Sequence, residues 1–499
     1  MKSYDVLIIG SGPAGLFAAM ELEKMGIGNI AIIDRHAYTA GGLLNDGKLN
    51  FDHRIGLDLN ELKIDVDTAC HYINEVKAIF TRFPRCRQVT YVNKNEKIDV
   101  LMNIAYEHGV EFIAPEQWHW GTDNGKAIVD HLRSYLGKTV FLLDSEVISI
   151  EKRTGHLYRV AARKKGKIFL SDAPVILAAP GRSGAYWFRD TAKTLGVDHN
   201  FGPIDVGIRI ELNRKFYEEI TNIVYDPKFI FRTNRHKDRV RTFCTNPGGR
   251  VRLENYGQFK LVNGDALSGR KTSNTNFALI NTVALTTPFS DTTEFGHMIA
   301  RQFHLLGGGQ PIVQRVGDFR EGRRSAKSTF DSRIRHFEMC KATCLVTPGD
   351  ITLGLPARIV DNLWESLKRL DKIIPGILHP STLLYAPEIK FFDTHFPTDQ
   401  NLETNVSGIF VAGDGTGKSR GIVGAAISGM IAAKGIAGKI RCKQRLPFSH
   451  QIIPAKDGYP AAFCFHDFIR HYRTDLCLSY RPSGIVLISG LSADQLFEK

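Results

Sequence analysis

A glycine-rich turn between short apolar runs constrains the fold of this chain more than any other feature. Residues 4–9 form an apolar run, residues 13–25 place leucine, alanine and methionine at helical spacing, and residues 29–33 form a second apolar run. The turn between the first run and the helix consists of Gly10, Ser11, Gly12, Pro13, Ala14 and Gly15. Its three glycines permit a tight turn, a close approach of the backbone to a pyrophosphate, and close packing of the helix on the strand. The pattern predicts the opening strand–helix–strand unit of a doubly wound parallel sheet.

An acidic residue ends the second apolar run. Asp34 lies nineteen residues after Gly15, the spacing at which a carboxylate accepts hydrogen bonds from the ribose of a bound dinucleotide. A carboxylate would repel a 2′-phosphate, so the site favours NAD or FAD over NADP. Arg35 follows directly and is a further candidate contact.

A second glycine-containing segment lies far along the chain. An apolar strand is predicted over residues 408–412, followed by Gly413 and Asp414. The Asp414 carboxylate would stand at the carboxyl edge of the sheet, where it can accept hydrogen bonds from the ribityl chain of a flavin. This segment resembles the carboxyl-terminal FAD signature of glutathione-reductase-like flavoproteins.

An apolar helix is predicted directly after that segment. It begins with Gly421, Ile422 and Val423. The N-terminus of a helix carries a partial positive charge, which would stabilise the negative charge of reduced flavin.

Two more segments indicate FAD as the tightly held cofactor. The apolar run at 175–178 leads into a turn that contains Gly181, which resembles the crossover of the same flavoproteins. The run at 146–148 is predicted as a strand whose backbone, at Val147, touches adenine. The three FAD-like motifs occur in the order that these flavoproteins have.

With these residues in place, the chain resembles the bacterial family of uncharacterised FAD-dependent dehydrogenases, and more distantly geranylgeranyl reductases and aromatic hydroxylases. The resemblance covers about residues 1–440 and implies an FAD fold with an inserted substrate domain. Within it, Gly42, Lys48 and Asn50 are implied as cofactor contacts. The segments that carry the resemblance are Gly41–Gly42, Asp46–Asn50, Gly121–Asp123, Ala179–Gly184, Asp205–Arg209, Thr242–Cys244, Pro247–Gly249, Asn274–Ala278, Gln314–Phe319 and Gly413–Asp414.

We therefore expect an α/β chain with a discontinuous Rossmann-like FAD-binding domain and an inserted substrate domain of mixed or antiparallel α+β type. The alternation of apolar residues at 206–212 and 277–285 is typical of half-exposed antiparallel strands. The expected parts are an FAD-binding domain at 1–58, 119–203 and 380–440, a helical insertion at 59–118, a substrate domain at 204–379, and a tail without clear periodicity at 441–499.

The charge balance favours an anionic partner. Lys and Arg number 65 against 52 Asp and Glu, a net charge of +13. This surplus suits an anionic small-molecule substrate or a transient dinucleotide phosphate. No RNA-binding pattern accompanies the Lys and Arg clusters at residues 232–252 and 320–327, so nucleic acid is not expected. No second glycine fingerprint follows a strand, so NAD(P)H would bind only as a transient electron donor.

The cysteines and apolar stretches bear on location. Eight cysteines include no Cys-x-x-Cys pair and no zinc-like spacing, which favours a cytoplasmic protein without a structural metal. The longest nearly uncharged apolar stretch, Gly421 to Ala433, has 13 residues, fewer than the roughly 20 needed to span a bilayer. No membrane span is therefore expected.

The sequence favours an FAD-dependent oxidoreductase that transfers a hydride between bound flavin and a small molecule. One alternative is a flavin-dependent monooxygenase, because the turn at 181–183 also resembles that group. Another is a flavin- or RNA-binding module without turnover, because no residue stands out as a catalytic acid or base. The substrate and the oligomeric state stay open.

Overall fold

The computed structural model describes residues 2–38, 42–45, 47–83, 87–88, 96–120, 124–266, 271–330, 340–391, 394–445, 476–481 and 484–489. The chain divides into two compact units, Met1–Lys443 and Gln444–Lys499. The first unit holds all the sheets that carry the predicted motifs.

The α-helices within the described ranges range from single turns to a 25-residue helix near the end of the first unit. They are α1 (Pro13–Lys24), α2 (Gly42–Asn45), α3 (Leu59–Leu62), α4 (Val66–Thr81), α5 (Glu96–Glu107), α6 (Gly125–Arg133), α7 (Gly181–Leu195), α8 (Glu218–Thr221), α9 (Thr292–Leu306), α10 (Val316–Arg320), α11 (Ala357–Leu370) and α12 (Gly421–Arg445).

Most strands lie in two blocks, one before residue 180 and one between residues 200 and 395, and three follow residue 400. They are β1 (Lys2–Ser3), β2 (Val6–Ile9), β3 (Ile30–Ile33), β4 (Lys48–Asn50), β5 (Arg87–Gln88), β6 (Glu111–Ile113), β7 (Gln117–His119), β8 (Val140–Leu142), β9 (Glu146–Arg153), β10 (Leu157–Lys164), β11 (Lys167–Ala173), β12 (Ile176–Ala178), β13 (Asn200–Phe201), β14 (Ile204–Asn213), β15 (Lys228–Arg232), β16 (Arg239–Pro247), β17 (Arg250–Asn255), β18 (Lys260–Asp265), β19 (Asn274–Val283), β20 (Ile312–Arg315), β21 (Thr347–Pro348), β22 (Leu383–Lys390), β23 (Thr394–His395), β24 (Ile409–Val411), β25 (Leu476–Arg481) and β26 (Gly484–Ser489).

A five-stranded parallel sheet confirms the predicted doubly wound fold. Its strand order is β24-β12-β2-β3-β8, and every neighbouring pair is parallel. Its strands come from three separated stretches of the chain. The sheet is complete only when β24, which follows residue 400, pairs with β12, which precedes residue 180. The exact domain boundaries given above stay a prediction.

Both faces of this sheet are buried, as its continuous apolar strands require. On one face the side chains of β2 pack with α1, α4, α6 and α12. On the other face, Leu7 and Ile9 pack with α7 and with a four-stranded sheet of order β1-β11-β10-β9. The carboxyl ends of the parallel strands therefore form one edge between two layers.

The second large sheet has eight strands in the order β21-β20-β22-β14-β19-β16-β15-β6, and every pair but β20·β21 is antiparallel. Strand side chains alternate between faces. On β14 the residues Ile204, Val206 and Ile208 join an apolar core with α9 and α11. The alternate residues Asp205 and Arg209 lie on the opposite face, which is polar although it is buried.

Two predicted elements are each broken by one residue in the left-handed conformation. The sequence pattern predicts one helix over residues 59–83, but α3 ends at Lys63 (φ 53°) and α4 begins after Asp65, whose carboxylate accepts a hydrogen bond from the Thr68 amide. The pattern also predicts one strand over residues 139–150, but Asp144 (φ 56°) separates β8 from β9. The helical periodicity of the sequence continues across Lys63, whereas Asp65, a residue type that caps helix N-termini, marks the start of a new helix.

The segment 59–118, expected as a helical insertion, also contains strands. It holds α3, α4 and α5, but β6 pairs with β15 at the edge of the eight-stranded sheet, and β7 pairs with β4. After residue 440, where the sequence predicts a tail without clear periodicity, three described stretches form regular elements. Helix α12 continues to Arg445, and in the second unit β25 and β26 form an antiparallel hairpin.

Helix α12 is the longest helix that the described residues form. Within the part of the chain that the structure describes, residues 421–442 are the one helical stretch long and apolar enough to cross a membrane, and 78% of its most apolar window is buried inside the protein. Lys439 Nζ donates to Ser407 Oγ at 2.8 Å, and Lys434 Nζ lies 4.4 Å from the centre of the Tyr72 ring. The helix thus packs as a core helix against the parallel sheet.

Glycine allows α12 to touch the start of α1 directly. A Cβ on Gly429 would lie 2.1 Å from the backbone oxygen of Ala14, so only glycine fits. Gly438, nine residues further on, has no atom within 4 Å of a Cβ at its position.

We predict opposite effects for the same substitution at these two positions of α12. Gly429→Ala should lower stability by about 1–3 kcal/mol, because the added methyl group forces the helix away from α1. Gly438→Ala should raise it by up to about 1 kcal/mol, because alanine favours the helix and meets no neighbour. Thermal unfolding midpoints of both variants test this. Equal shifts of the two thermal midpoints in the same direction would contradict the close contact between Gly429 and Ala14.

A second prediction concerns the second unit. A chain that ends at Arg445 should keep the thermal midpoint of the first unit and the visible absorbance expected of bound flavin. A chain that ends at Lys439 should be less stable, because it loses the buried Ile440 and the hydrogen bond from Arg441 Nη2 to the Met25 oxygen at 2.6 Å. Loss of the cofactor in the folded longer chain would show that the second unit contributes to the site.

Candidate cofactor site

The glycine turn after β2 packs directly on the end of β12. Gly10 has φ 106°, and a Cβ at its position would lie 2.1 Å from the Ala179 oxygen. A Cβ on Gly15 would lie 2.0 Å from the Gly10 oxygen, so α1 can approach its own strand. Both contacts support the roles expected for these glycines.

The turn after β24 meets the same edge of the sheet. Gly413 has φ 84°, and a Cβ there would lie 3.2 Å from that of Ala14. A Cβ on Gly415 would lie 2.2 Å from the oxygen of Gly181, which itself has φ 62°. The three predicted motifs therefore meet at the carboxyl ends of β2, β12 and β24, where ligands bind in doubly wound sheets.

Helix α1 presents an N-terminus without a side-chain cap at this edge. Its capping residue is Gly12, and Pro13 occupies the first helical turn. The backbone N–H groups of the first turn of a helix have no partner within the helix, so they attract an anionic group. This end of α1 fits a pyrophosphate.

The Asp34 carboxylate is hydrogen-bonded to the glycine turn. One carboxylate oxygen accepts hydrogen bonds from the Ser11 amide (2.8 Å) and hydroxyl (2.7 Å), and the other accepts from the His36 amide (2.8 Å). A carboxylate has about four acceptor positions, so one remains for a ribose hydroxyl. Ser11 was not among the predicted site residues, although it stands inside the glycine fingerprint.

Asp414 joins two turns and the start of α12. Its carboxylate accepts a hydrogen bond from the Gly421 amide at 3.2 Å and from the Ser419 hydroxyl at 3.4 Å. Arg182 Nε lies 3.3 Å from the same carboxylate. Arg182 lies in the first turn of α7 and was not among the predicted site residues. Asp414 is thus held at the edge of the sheet by three donors.

The start of α12 is packed against α2. Gly421 has φ 79°, and Ile422 and Val423 are buried. A Cβ on Gly42 would lie 3.0 Å from Ile422 Cγ1, so glycine there lets α2 approach the N-terminus of α12. The predicted residues Gly42, Gly421 and Ile422 therefore lie together.

Lys48 and Asn50 point toward the eight-stranded sheet. Lys48 Nζ donates to the Thr245 oxygen at 2.6 Å and lies 3.5 Å from the Asp226 carboxylate. Asn50 Oδ1 accepts a hydrogen bond from Gln117 at 2.7 Å. Both residues have protein partners away from the glycine turn, and their contact with the cofactor stays a prediction.

Two further predicted residues are Val147 and Arg35. Val147 lies on β9 and is buried, and Arg35 is exposed with Nη2 3.3 Å from the Ser183 oxygen. Gly41, Asp46 and residues 121–123, which helped to carry the family resemblance, lie outside the described residues.

The arrangement fits FAD better than a single nucleotide or a metal. The uncapped N-terminus of α1 lies between two carboxylates, that of Asp34 beside the turn after β2 and that of Asp414 beside the turn after β24. Glycines occupy the positions at which a Cβ would fill the space between the turns. Among the described residues, no group of three His, Cys, Asp or Glu side chains could hold a metal ion.

Family comparisons agree with this site. A family model described as "FAD binding domain" matches residues 3–127, and one described as "FAD-dependent protein, C-terminal domain-like" matches residues 203–390. The chain is an FAD-dependent oxidoreductase with a Rossmann-type cofactor fold. The resemblance to FAD-dependent dehydrogenases drawn from the sequence is confirmed at this level.

Individual relatives are more distant. An uncharacterised protein of Clostridium beijerinckii is 26% identical over 468 residues, which cover 87% of this chain and 80% of that protein. An uncharacterised protein of Methanosarcina barkeri is 33% identical over 119 residues, 23% of this chain and 29% of that protein.

Three solved structures are similar to this chain at low sequence identity. A ternary complex of aklavinone-11 hydroxylase with FAD and aklavinone has a TM-score of 0.39 and 11% identity, covering 89% of this chain and 63% of that one. Glycine oxidase from Geobacillus kaustophilus has a TM-score of 0.39 and 11% identity, covering 88% and 95%. Quinol fumarate reductase FrdA of E. coli has a TM-score of 0.40 and 12% identity, covering 89% and 72%.

We predict that Asp414→Ala weakens FAD binding by about ten- to a hundred-fold, the loss typical of a hydrogen bond to a charged group. Equilibrium titration of the apoprotein with FAD measures this. Asp65→Ala is the matched control, because the Asp65 carboxylate accepts a hydrogen bond from the Thr68 amide at the start of α4, and it should leave FAD affinity unchanged. Equal FAD affinity in Asp414→Ala and the parent protein would show that the ribityl contact lies elsewhere.

Proposed function

We propose that the enzyme transfers a hydride between its flavin and a small-molecule substrate that binds against the polar face of the eight-stranded sheet. The observation that carries this proposal is the junction of Asp414 with the N-terminus of α12. The helix starts at the edge of the sheet where the three glycine turns meet, and it directs its positive end there.

Bound FAD supplies the capacity to take up and release a hydride. The residues of the chain bind the cofactor and stabilise its charge. The first turn of α1 binds the pyrophosphate, and Asp34 binds the adenosine ribose while keeping the glycine turn closed. Asp414 binds the ribityl chain. The N-terminus of α12 then stabilises the negative charge that accompanies two-electron reduction.

The electron donor in this proposal is a transiently bound NAD(P)H or a reduced metabolite. The chain has no second glycine fingerprint after a strand that would hold a nicotinamide cofactor permanently. The cytoplasmic location expected from the cysteine content stays part of the proposal.

The same cofactor site would also suit a flavin-dependent monooxygenase, and reactivity toward oxygen separates the two. The purified protein is reduced anaerobically and mixed with either dissolved oxygen or the hydride acceptor dichlorophenolindophenol. We expect faster reoxidation of the flavin by the dye than by oxygen. Faster reaction with oxygen, with oxygen incorporated into a member of a metabolite panel, would establish the monooxygenase. Release of FMN instead of FAD on denaturation would contradict the assigned cofactor site.

A further inference from the structure

The polar face of the eight-stranded sheet carries three carboxylates, each shared by two cations. The first is Asp226, which is 1% exposed at its side chain. Lys228 Nζ lies 2.6 Å and Lys48 Nζ 3.5 Å from the same oxygen, and the Thr245 amide donates to the other oxygen at 2.8 Å. Burial would raise the pKa of Asp226, but the two lysines lower it to about 2. This group therefore keeps one positive charge in excess.

The second carboxylate is Glu388 on β22, which is fully buried. Arg209 makes two hydrogen bonds to it, each of 2.6 Å, and Lys390 Nζ lies 2.8 Å from it. Arg209 also donates to Asn276 Oδ1 at 2.8 Å. Two cations again face one carboxylate.

The third carboxylate is Asp205 on β14. Arg241 Nη2 lies 2.6 Å and Arg420 Nη1 3.6 Å from the same oxygen. Burial would raise the pKa of Asp205, but Arg241 and Arg420 hold it below its ordinary value. Arg420 directly precedes Gly421, so this group connects the polar face to the N-terminus of α12 at the cofactor site.

The ring of Phe243 lies where the three groups meet. One cation of each group approaches it: Arg241 at 5.0 Å, Lys390 at 5.5 Å and Lys228 at 5.9 Å from the ring centre. Phe243 is partly exposed, whereas the two lysines are buried. A partly exposed aromatic ring surrounded by cations provides an apolar surface beside positive charge.

The charges on this face do not balance. Six cations surround the three carboxylates. Two further acids do not change the sign: Glu254 pairs with Arg252 at 3.1 Å, and Glu211 is held by uncharged donors, among them the Tyr385 hydroxyl at 2.7 Å. Even with Glu211 counted, cations outnumber acids by two.

An unbalanced buried charge is unfavourable unless a counter-ion accompanies it. The same face also contains a buried hydrogen-bond donor that is unsatisfied among the described residues. Asn276 is fully buried, and its amide nitrogen has no hydrogen-bond partner among the described residues. Of the six cations, Arg241 and Arg420 have the most exposed side chains, at 13% and 35%. These two can therefore reach a ligand.

We propose that Arg241 and Arg420 bind the anionic group of the substrate, and that the Phe243 ring packs on its apolar part. The substrate is then a small organic anion, carrying a carboxylate or a phosphate group, held next to the N-terminus of α12. This inference rests on the proposed oxidoreductase function and assigns the substrate class to its site.

The experiment uses FAD-loaded full-length protein and follows the visible flavin spectrum. The probes are benzoate, inorganic phosphate, and benzyl alcohol as the uncharged analogue of benzoate. We expect benzoate to perturb the spectrum with saturation and benzyl alcohol at equal concentration to leave it unchanged. Phosphate that competes with benzoate would support the anion site, and phosphate that perturbs the spectrum when benzoate does not would assign the anion as a phosphate group.

Two substitutions on one ion pair should act in opposite directions. Arg241→Gln should weaken benzoate binding at least about ten-fold, because it removes a charged donor. Asp205→Asn should tighten it, because it raises the positive charge while it keeps an acceptor for Arg241. Arg163→Gln, at an exposed position of β10 in the four-stranded sheet, is the control and should leave benzoate binding unchanged. Arg420→Gln replaces Arg241→Gln if the latter does not fold.

Several results would overturn the proposal. Weaker benzoate binding in both Arg241→Gln and Asp205→Asn would indicate a purely structural ion pair. A change of flavin reduction potential in Arg241→Gln without a change in benzoate affinity would show that the cations serve the flavin. Flavin-loaded protein that binds none of the anions refutes this proposal alone, whereas protein that holds no flavin refutes the proposed function.

Discussion

The cofactor unit depends on direct contact between backbones at the carboxyl edge of its parallel sheet. Gly10, Gly15 and Gly429 each stand where a Cβ would lie about 2 Å from a neighbouring backbone oxygen. These contacts bring β2, β12, α1 and α12 together without side chains between them. The short turns can then direct N–H groups toward one ligand. Asp34 and Asp414 hydrogen-bond to the turns that these contacts bring together.

The sequence predicted the parts of the molecule that local chemistry determines. A glycine fingerprint between an apolar strand and a helix has few alternatives, and both the parallel sheet and α12 are found where the pattern placed them. The breaks at Lys63 and Asp144 were missed because periodicity continues across them, and each depends on one residue with positive φ. The capping residue Asp65 was the available signal for the first break.

The polar face of the eight-stranded sheet was beyond sequence analysis for a different reason. The residues that share a carboxylate are far apart in the chain, as with Lys48 and Asp226 or Asp205 and Arg420. Alternation predicted that one face of β14 would be polar, but it also indicated exposure to solvent. The structure buries that face, and burial makes its excess of positive charge energetically unfavourable. The basic surplus of the composition was visible in the sequence, whereas its location was not.

The order of the chain has a consequence for synthesis on the ribosome. The eight-stranded sheet is complete once residue 390 has emerged, and four strands of the parallel sheet are present before residue 180. The fifth strand β24 and helix α12 come last, after more than 400 residues. Contacts of such long sequence separation form slowly, because a long loop must close first. The apolar side chains that pack on α12 therefore stay uncovered until that helix has emerged, and the edge at which the three glycine turns meet is incomplete before then.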